Sequence, residues 1–114
     1  MVKNDDYIPK RGDAVWLDFS PQIGHEQKGR RPAVVISPEK YNKTVGLMLA
    51  CPITTKVKNY PFEVAIPDDI GISGVILSDQ VKSLDWRARN VEFICALQDE
   101  VIDETLGKLS LLIT

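Results

Sequence analysis

Hydrophobic and polar positions change places at short intervals along this chain. Val15, Leu17 and Phe19 alternate with Ala14, Trp16 and Asp18, a period of two that predicts a strand. Gly12-Asp13 opens it and Ser20-Pro21 stops it. Pro32 to Ile36 is a β-branched run ended by Ser37-Pro38, and Gly46 to Ile53 is a second apolar strand. Phe62 to Ile66 alternates again and ends at Pro67-Asp68-Asp69, while Ser73 to Ser78 and Val91 to Leu97 supply two more strands. Strands this close together, with no helical pattern between them, predict an antiparallel barrel or compact sheet. The last stretch differs. Ile102, Leu106, Leu109 and Ile113 fall at i, i+4, i+7 and i+11, one face of an amphipathic helix. Asp99 is the expected cap, and Asp99 with Glu100 suits the positive end of the helix. Gly107 weakens the helix by roughly 1 kcal/mol. Its apolar face is expected to pack on the barrel.

Composition bounds this picture. A chain of 114 residues is expected to form one domain over 1–114, and 44% hydrophobic with 26% charged residues excludes a disordered or membrane-embedded chain. The longest apolar stretch, Val45 to Ile53, contains a Gly and a Pro and falls far short of the roughly 20 residues of a membrane helix. Met1-Val2-Lys3-Asn4-Asp5-Asp6 has no apolar run behind it, so no signal peptide and a cytoplasmic location are expected. Cys51 and Cys95 each sit in an apolar run and are read as buried, reduced thiols. Two cysteines and one histidine do not make a four-ligand zinc site, so neither metal nor cofactor is expected.

Net charge is −2, but it is unevenly spread. Gly24 to Tyr60 holds seven basic residues against Glu26 and Glu39, a local +5, while the last sixteen residues carry −3. Such segregation lets an acidic protein present a basic face to a polyanion. The loop from Gly24 to Arg31 joins two strands and is longer than a hairpin needs, a common place for function on a small scaffold. It concentrates His25, Glu26, Lys28, Arg30 and Arg31. Pro32 biases Arg31 toward an extended backbone, which holds its guanidinium fork at the mouth of a strand, within reach of a phosphate. Thr54 and Thr55 follow another strand, with Lys56 and Lys58 after them. A threonine there either donates to a phosphate oxygen or caps its own turn. Gln80 and Lys82 share a face if Asp79 to Ser83 is a strand, and amides read base edges while cations hold phosphates. Trp86 reads as a core or interface residue in preference to a base-stacking platform.

Seven motifs occur in one order: Arg11-Gly12-Asp13, Asp18-Phe19-Ser20-Pro21, Gly24-His25-Glu26-Gln27, Arg31-Pro32-Ala33-Val34-Val35, Pro52-Ile53-Thr54-Thr55, Tyr60-Pro61-Phe62-Glu63-Val64 and Asp79-Gln80-Val81-Lys82-Ser83. The ordered set closely resembles the MazF/PemK (Kid) family of toxin endoribonucleases, over nearly the whole chain. The resemblance implies a mostly β fold, an SH3-like antiparallel β-barrel with a C-terminal helix, acting as a homodimer. It implies metal-independent, sequence-selective cleavage of single-stranded RNA, leaving a 2′,3′-cyclic phosphate and a 5′-hydroxyl. It also implies a MazE-like antitoxin whose acidic, flexible tail covers the RNA groove.

Carried over by position, Arg31 and Thr54 match the family's essential arginine and threonine. Glu26 matches a loop acid implicated in some members, and Gln80 a substrate-contacting glutamine. Phe19, His25, Gln27 and Lys28 join the expected RNA contacts on one side, with Thr55, Lys56 and Lys82 on the other. His25 stands where the family usually has a small residue. Cleavage requires a base for the 2′-hydroxyl, and Glu26 and His25 remain the two candidates. Glu26, with a reference pKa of about 4.3, is ionised but weak at neutral pH, whereas His25, near 6.5, is better matched. Two other functions are compatible with a small barrel: a CcdB-like gyrase poison, with its contacts in the C-terminal helix, or a non-catalytic SH3-like binding module. Neither requires an Arg/Thr phosphate site.

Overall fold

The computed structural model describes residues 6–18, 29–67 and 71–114. Among the described residues seven strands and two helices follow in order: β1 (Asp13–Asp18), β2 (Arg30–Val35), α1 (Glu39–Val45), β3 (Met48–Thr54), β4 (Glu63–Ile66), β5 (Gly74–Leu77), β6 (Lys82–Leu84), β7 (Glu92–Ala96) and α2 (Asp99–Ile113). Every pairing is antiparallel. The sheet runs β4–β5–β3–β2–β1–β7, with β6 off this path against β3. The result is mostly β, a curled half-barrel with a C-terminal helix.

β3 is the most shared strand. One edge pairs with β2, through Ala33↔Pro52, Val34↔Cys51 and Val35↔Ala50. The other edge is divided between β6, opposite Met48 to Ala50, and β5, opposite Ile53 and Thr54. β5 in turn carries β4 on its far side.

Both faces of the central strands are buried. Ala14, Val34, Cys51, Ile53, Val64 and Ile76 pack with Val101, Ile102 and Leu109 of α2. Val15, Leu17, Ala33, Val35, Met48 and Ala50 pack on the opposite face with Leu84 and Trp86. This is why Val34-Val35-Ile36 is a continuous apolar run and not an alternating one. Trp86 is a core residue: it is 3% exposed, and its indole Nε1 donates to the Asn42 carbonyl at 3.1 Å. A stacking role for it is thereby removed.

Four local expectations change. The segment after Ser37-Pro38 is a helix, α1, for which no apolar stripe gives warning. Its buried residue is polar: the Asn42 amide donates to the carbonyls of Pro9 and Ser37, and its oxygen accepts from the Ser37 hydroxyl. Gly46, at φ +83°, closes α1 by donating to the Asn42 carbonyl. At α2 the N-cap is Gln98, without a side-chain cap bond, so Asp99 lies inside the first turn and contributes there only by charge. The packed face of α2 is also rotated. Val101, Ile102, Thr105 and Leu109 are buried, while Ile113 is 73% exposed. Thr105 tolerates burial because its hydroxyl donates to the Val101 carbonyl at 2.8 Å. Cys51 is buried as expected, but Cys95 is only half-buried because β7 lies at the end of the strand order. Among the described residues no helix is long and apolar enough to cross a membrane.

Gly107 is exposed, and a Cβ added there meets nothing within 4 Å. Gly107→Ala is expected to stabilise the protein by about 0.5–1 kcal/mol. Thermal unfolding checks this, and a lowered midpoint contradicts it.

Candidate active site

Arg31 and Thr54 are 23 positions apart in sequence, and the sheet sets them opposite each other. Stepping the β2–β3 register on by two residues from Ala33↔Pro52 places Arg31 against Thr54. Directly opposed residues of an antiparallel pair share a face. Arg31 also pairs with Leu17, so it lies on the Val15–Leu17 face. Lys82 pairs with Ala50 and joins the same face. Arg31 and Lys82 are exposed and Thr54 is half-buried. The pattern thus collects two cations and a hydroxyl on one side of the sheet, beyond its apolar centre.

The neighbouring arginine has another fate. Arg30 lies opposite Asp18 and faces the other way. Its guanidinium meets Asp18 at 3.0 Å, Glu92 at 3.2 Å and the Asn90 carbonyl at 2.7 Å. Asn90 donates to the second Asp18 oxygen at 2.7 Å, and Arg89 donates to the Asp18 carbonyl. The Asn90 hydrogen bond first, then Arg30 and Arg89, hold the Asp18 carboxyl below its usual range. This cluster joins the end of β1 to the start of β2, the two strands that the Gly24–Arg31 loop connects. Arg30 is therefore an anchor beside Arg31, and the local charge of +5 overstates what faces a polyanion. Among the described residues Arg31 has no carboxylate partner.

Thr54 is held by a close backbone approach. Its Oγ1 accepts from the Lys56 N–H at 3.1 Å, a turn contact that leaves the hydroxyl proton able to donate elsewhere. Both roles considered for this residue are thus compatible. Across the β3–β5 pair lies Gly74, at φ +119°. A Cβ there would stand 2.3 Å from the Thr54 carbonyl oxygen and 2.9 Å from its carbon. Only glycine lets β5 close on Thr54 in this way. A lone glycine opening a strand was the available signal for such an approach.

The other predicted contacts lie on two connections. Thr55 and Lys56 are exposed and follow β3. Glu63 fixes their connection: its carboxylate accepts from the N–H groups of Lys58 at 2.8 Å and Asn59 at 2.9 Å. Asn59 takes a left-handed φ of +61° there. Lys108 of α2 donates to the Pro61 carbonyl at 2.7 Å. Gln80 is exposed in a turn closed by its N–H to the Leu77 carbonyl, before β6 begins at Lys82. The two residues are therefore not partners on one strand face. Tyr60 and Asp79 join the two connections, with the phenol donating to the carboxylate at 2.6 Å. That bond raises the Tyr60 pKa, while the Gln80 amide acts weakly in the opposite sense. Nothing in the spacing of Tyr60, Glu63, Asp79 and Lys108 announced these contacts.

Phe19, His25, Glu26, Gln27 and Lys28 lie outside the described residues. Among the described residues no three of His, Cys, Asp and Glu converge to hold a metal. Burial pushes the Cys51 thiol up to about 12, which makes it a poor nucleophile.

A family model described as "PemK-like, MazF-like toxin of type II toxin-antitoxin system" matches residues 10–113. The endoribonuclease toxin MazF of Escherichia coli K12 is 45% identical over 107 residues, covering 94% of this chain and 96% of the relative. A crystal structure of MazF from Deinococcus radiodurans superposes with a TM-score of 0.86 at 53% identity, covering 95% of this chain and 98% of the other. A MazE-MazF crystal structure from the same organism gives a TM-score of 0.85 at 47% identity, covering 95% and 97%.

Two outcomes follow from these contacts. Asp18 has a folded pKa below its ordinary 3.8, so its contribution is present above that value and is lost as pH falls through the folded value. Between about pH 4 and pH 2 the wild type should lose more thermal stability than Asp18→Asn; parallel curves would contradict this. Gly74→Ala should destabilise by about 1–3 kcal/mol and lower any activity that depends on Thr54. Urea unfolding measures the first effect, and a wild-type midpoint would show that β5 can give way.

Proposed function

The chain belongs to the PemK-like, MazF-like toxin family of type II toxin–antitoxin systems and is an endoribonuclease, and we propose that Arg31 and Thr54 form the centre of its active site. The observation that carries this is the register that sets the two residues opposite each other on one face with Lys82. The whole chain, 1–114, serves as a single toxin domain in the cytoplasm. Its substrate is single-stranded RNA, mRNA above all, cut at short sequence motifs. It acts as a homodimer and pairs with a MazE-like antitoxin, a reading that the MazE-MazF complex from Deinococcus radiodurans supports. The antitoxin's acidic, flexible tail neutralises the toxin by covering the RNA groove.

Cleavage is a transesterification. The 2′-oxygen loses its proton and attacks the adjacent phosphorus. The bond to the 5′-oxygen breaks and that oxygen takes up a proton. The products are a 2′,3′-cyclic phosphate and a 5′-hydroxyl. Arg31 and Thr54 suit the middle of this sequence, as donors aimed at the charge that grows on the phosphorane oxygens. Arg31 is not the acid, because a guanidinium holds its proton to a pKa above about 12. Glu26 or His25 takes the 2′-proton. Lys82, Lys56 and Lys28 bind phosphates, and Thr55, Gln80, Gln27 and Phe19 contact the nucleosides. His25 is a rim contact if Glu26 is the base. None of these roles uses a metal ion.

The test is one experiment. Purified protein is incubated with single-stranded RNA in EDTA, and the new 5′-hydroxyl ends are sequenced. The wild type should cleave, and Arg31→Ala should be slower by about 10²-fold or more. Equal rates would remove Arg31 from the centre, and restoration of a silent wild type by a divalent ion would overturn the metal-free chemistry.

A further inference from the structure

The Tyr60–Asp79 hydrogen bond raises a question that the cleavage chemistry does not answer. An acid exposed between Gln80, Lys82 and the lysines after Thr54 opposes phosphate binding on that side. An exposed phenol–carboxylate bond also competes with water and adds little to stability. Its place in the fold supplies a reason for it. The connection between β3 and β4 carries Thr55, Lys56 and Lys58, and the one between β5 and β6 carries Gln80. Glu63 holds Lys58 and Asn59 within the first connection through their N–H groups. Ser78 joins the two connections where they meet β4 and β5, donating to the Phe62 carbonyl from both its N–H and its hydroxyl. Tyr60 to Asp79 is a second tie, beside Gln80, 19 positions apart in sequence and 2.6 Å apart in space.

We propose that this bond sets the spacing between the Thr55–Lys58 segment and Gln80, and thereby determines which RNA sequence is cut. Tyr60 and Asp79 are positioning residues and touch no base. A glutamine reads a base edge by two hydrogen bonds of fixed direction, so a small shift of its backbone loses the match while phosphate contacts through flexible lysines persist. Asp79 serves as the acceptor that holds Tyr60, and Tyr60 remains the donor because its proton is held more tightly than in an ordinary phenol. Gln80, the residue next to Asp79, is carried with it. The proposal rests on the endoribonuclease reading above and on Gln80 as an RNA contact.

The test uses the full chain and a pool of RNA oligonucleotides randomised around the cut site, with 5′-hydroxyl ends sequenced. Tyr60→Phe removes one hydroxyl and keeps the ring. It should relax base preference at one position of the motif by about tenfold, with KM for the best wild-type site raised and kcat little changed. Its melting temperature should stay within about 4 °C of the wild type. Asp79→Ala should give the same relaxed motif. Asp79→Asn, whose amide oxygen still accepts from the phenol, should restore it. The double variant Tyr60→Phe/Asp79→Ala should be no more relaxed than either single variant. If the wild type cuts RNA and Tyr60→Phe keeps the wild-type motif, the proposal is overturned alone. Independent, additive relaxation by the two variants also overturns it, since Asp79 would then contact RNA itself. A wild-type chain that cuts no RNA overturns the endoribonuclease reading and the proposal together.

Discussion

β3 pairs with three strands. β2 occupies one edge, and β6 and β5 share the other in succession. The backbone groups of its seven residues are thus committed to three partners, and the change from β6 to β5 falls between Ala50 and Ile53, in the strand whose end is Thr54. The position of Thr54 is therefore a consequence of how β3 is shared. β2 fixes its height relative to Arg31, and β5 fixes its carbonyl through Gly74. A change that loosens either edge moves the proposed centre without touching it.

The elements with a strong period were legible before the fold. Six of the seven strands are where alternation or an apolar run put them, to within about two residues, because the central strands are buried on both faces and the pattern is dense; β6, three residues long with only Leu84 buried, gave no such mark. Burial on both faces also limits legibility, since a continuous run does not say which residue faces which way. Val15 and Leu17 belong to one cluster and Ala14 to the other, a distinction the register gives and the hydropathy does not. α1 escaped because its buried residue is Asn42, and a polar side chain satisfied by carbonyls leaves no hydrophobic mark. The rotated face of α2 has the same cause at Thr105. The pairing of Arg31 and Thr54 in one proposed site came from family resemblance. That they oppose each other is a fact of register, which no single segment encodes.

Charge shows the same separation between what a count gives and what geometry decides. A chain with net −2 presents cations on one face because many of its acids are already engaged. Asp18 takes Arg30 and Asn90, Glu63 takes two backbone N–H groups, and Asp79 takes Tyr60. The buried Asp13 accepts from Tyr7 and from the Lys10 N–H. A carboxylate that already accepts hydrogen bonds still carries its charge, but the donors beside it offset part of its field and hold it in one place. Arg30 shows the converse: it adds to the formal charge of the loop and offers little to a ligand. Two adjacent arginines thus do opposite things because a strand turns successive side chains to opposite faces.

This arrangement bears on how a sequence preference can be built on a small sheet. Rigid strands set Arg31, Thr54 and Lys82, the residues proposed to meet a phosphate, a group that is the same at every nucleotide. Connections carry Thr55, Lys56 and Gln80, the proposed nucleoside contacts, and a preference for particular bases would require that these be as well placed as the strand residues. Side-chain hydrogen bonds hold these connections in place. Glu63 replaces the missing ladder partners of Lys58 and Asn59, Lys108 reaches from α2 to the Pro61 carbonyl, and Asp79 holds Tyr60. Each of these contacts is individually worth little. Together they give two exposed connections a fixed relation to a strand end, which is what the proposed division of labour requires: chemistry at the strand ends, sequence preference in the connections.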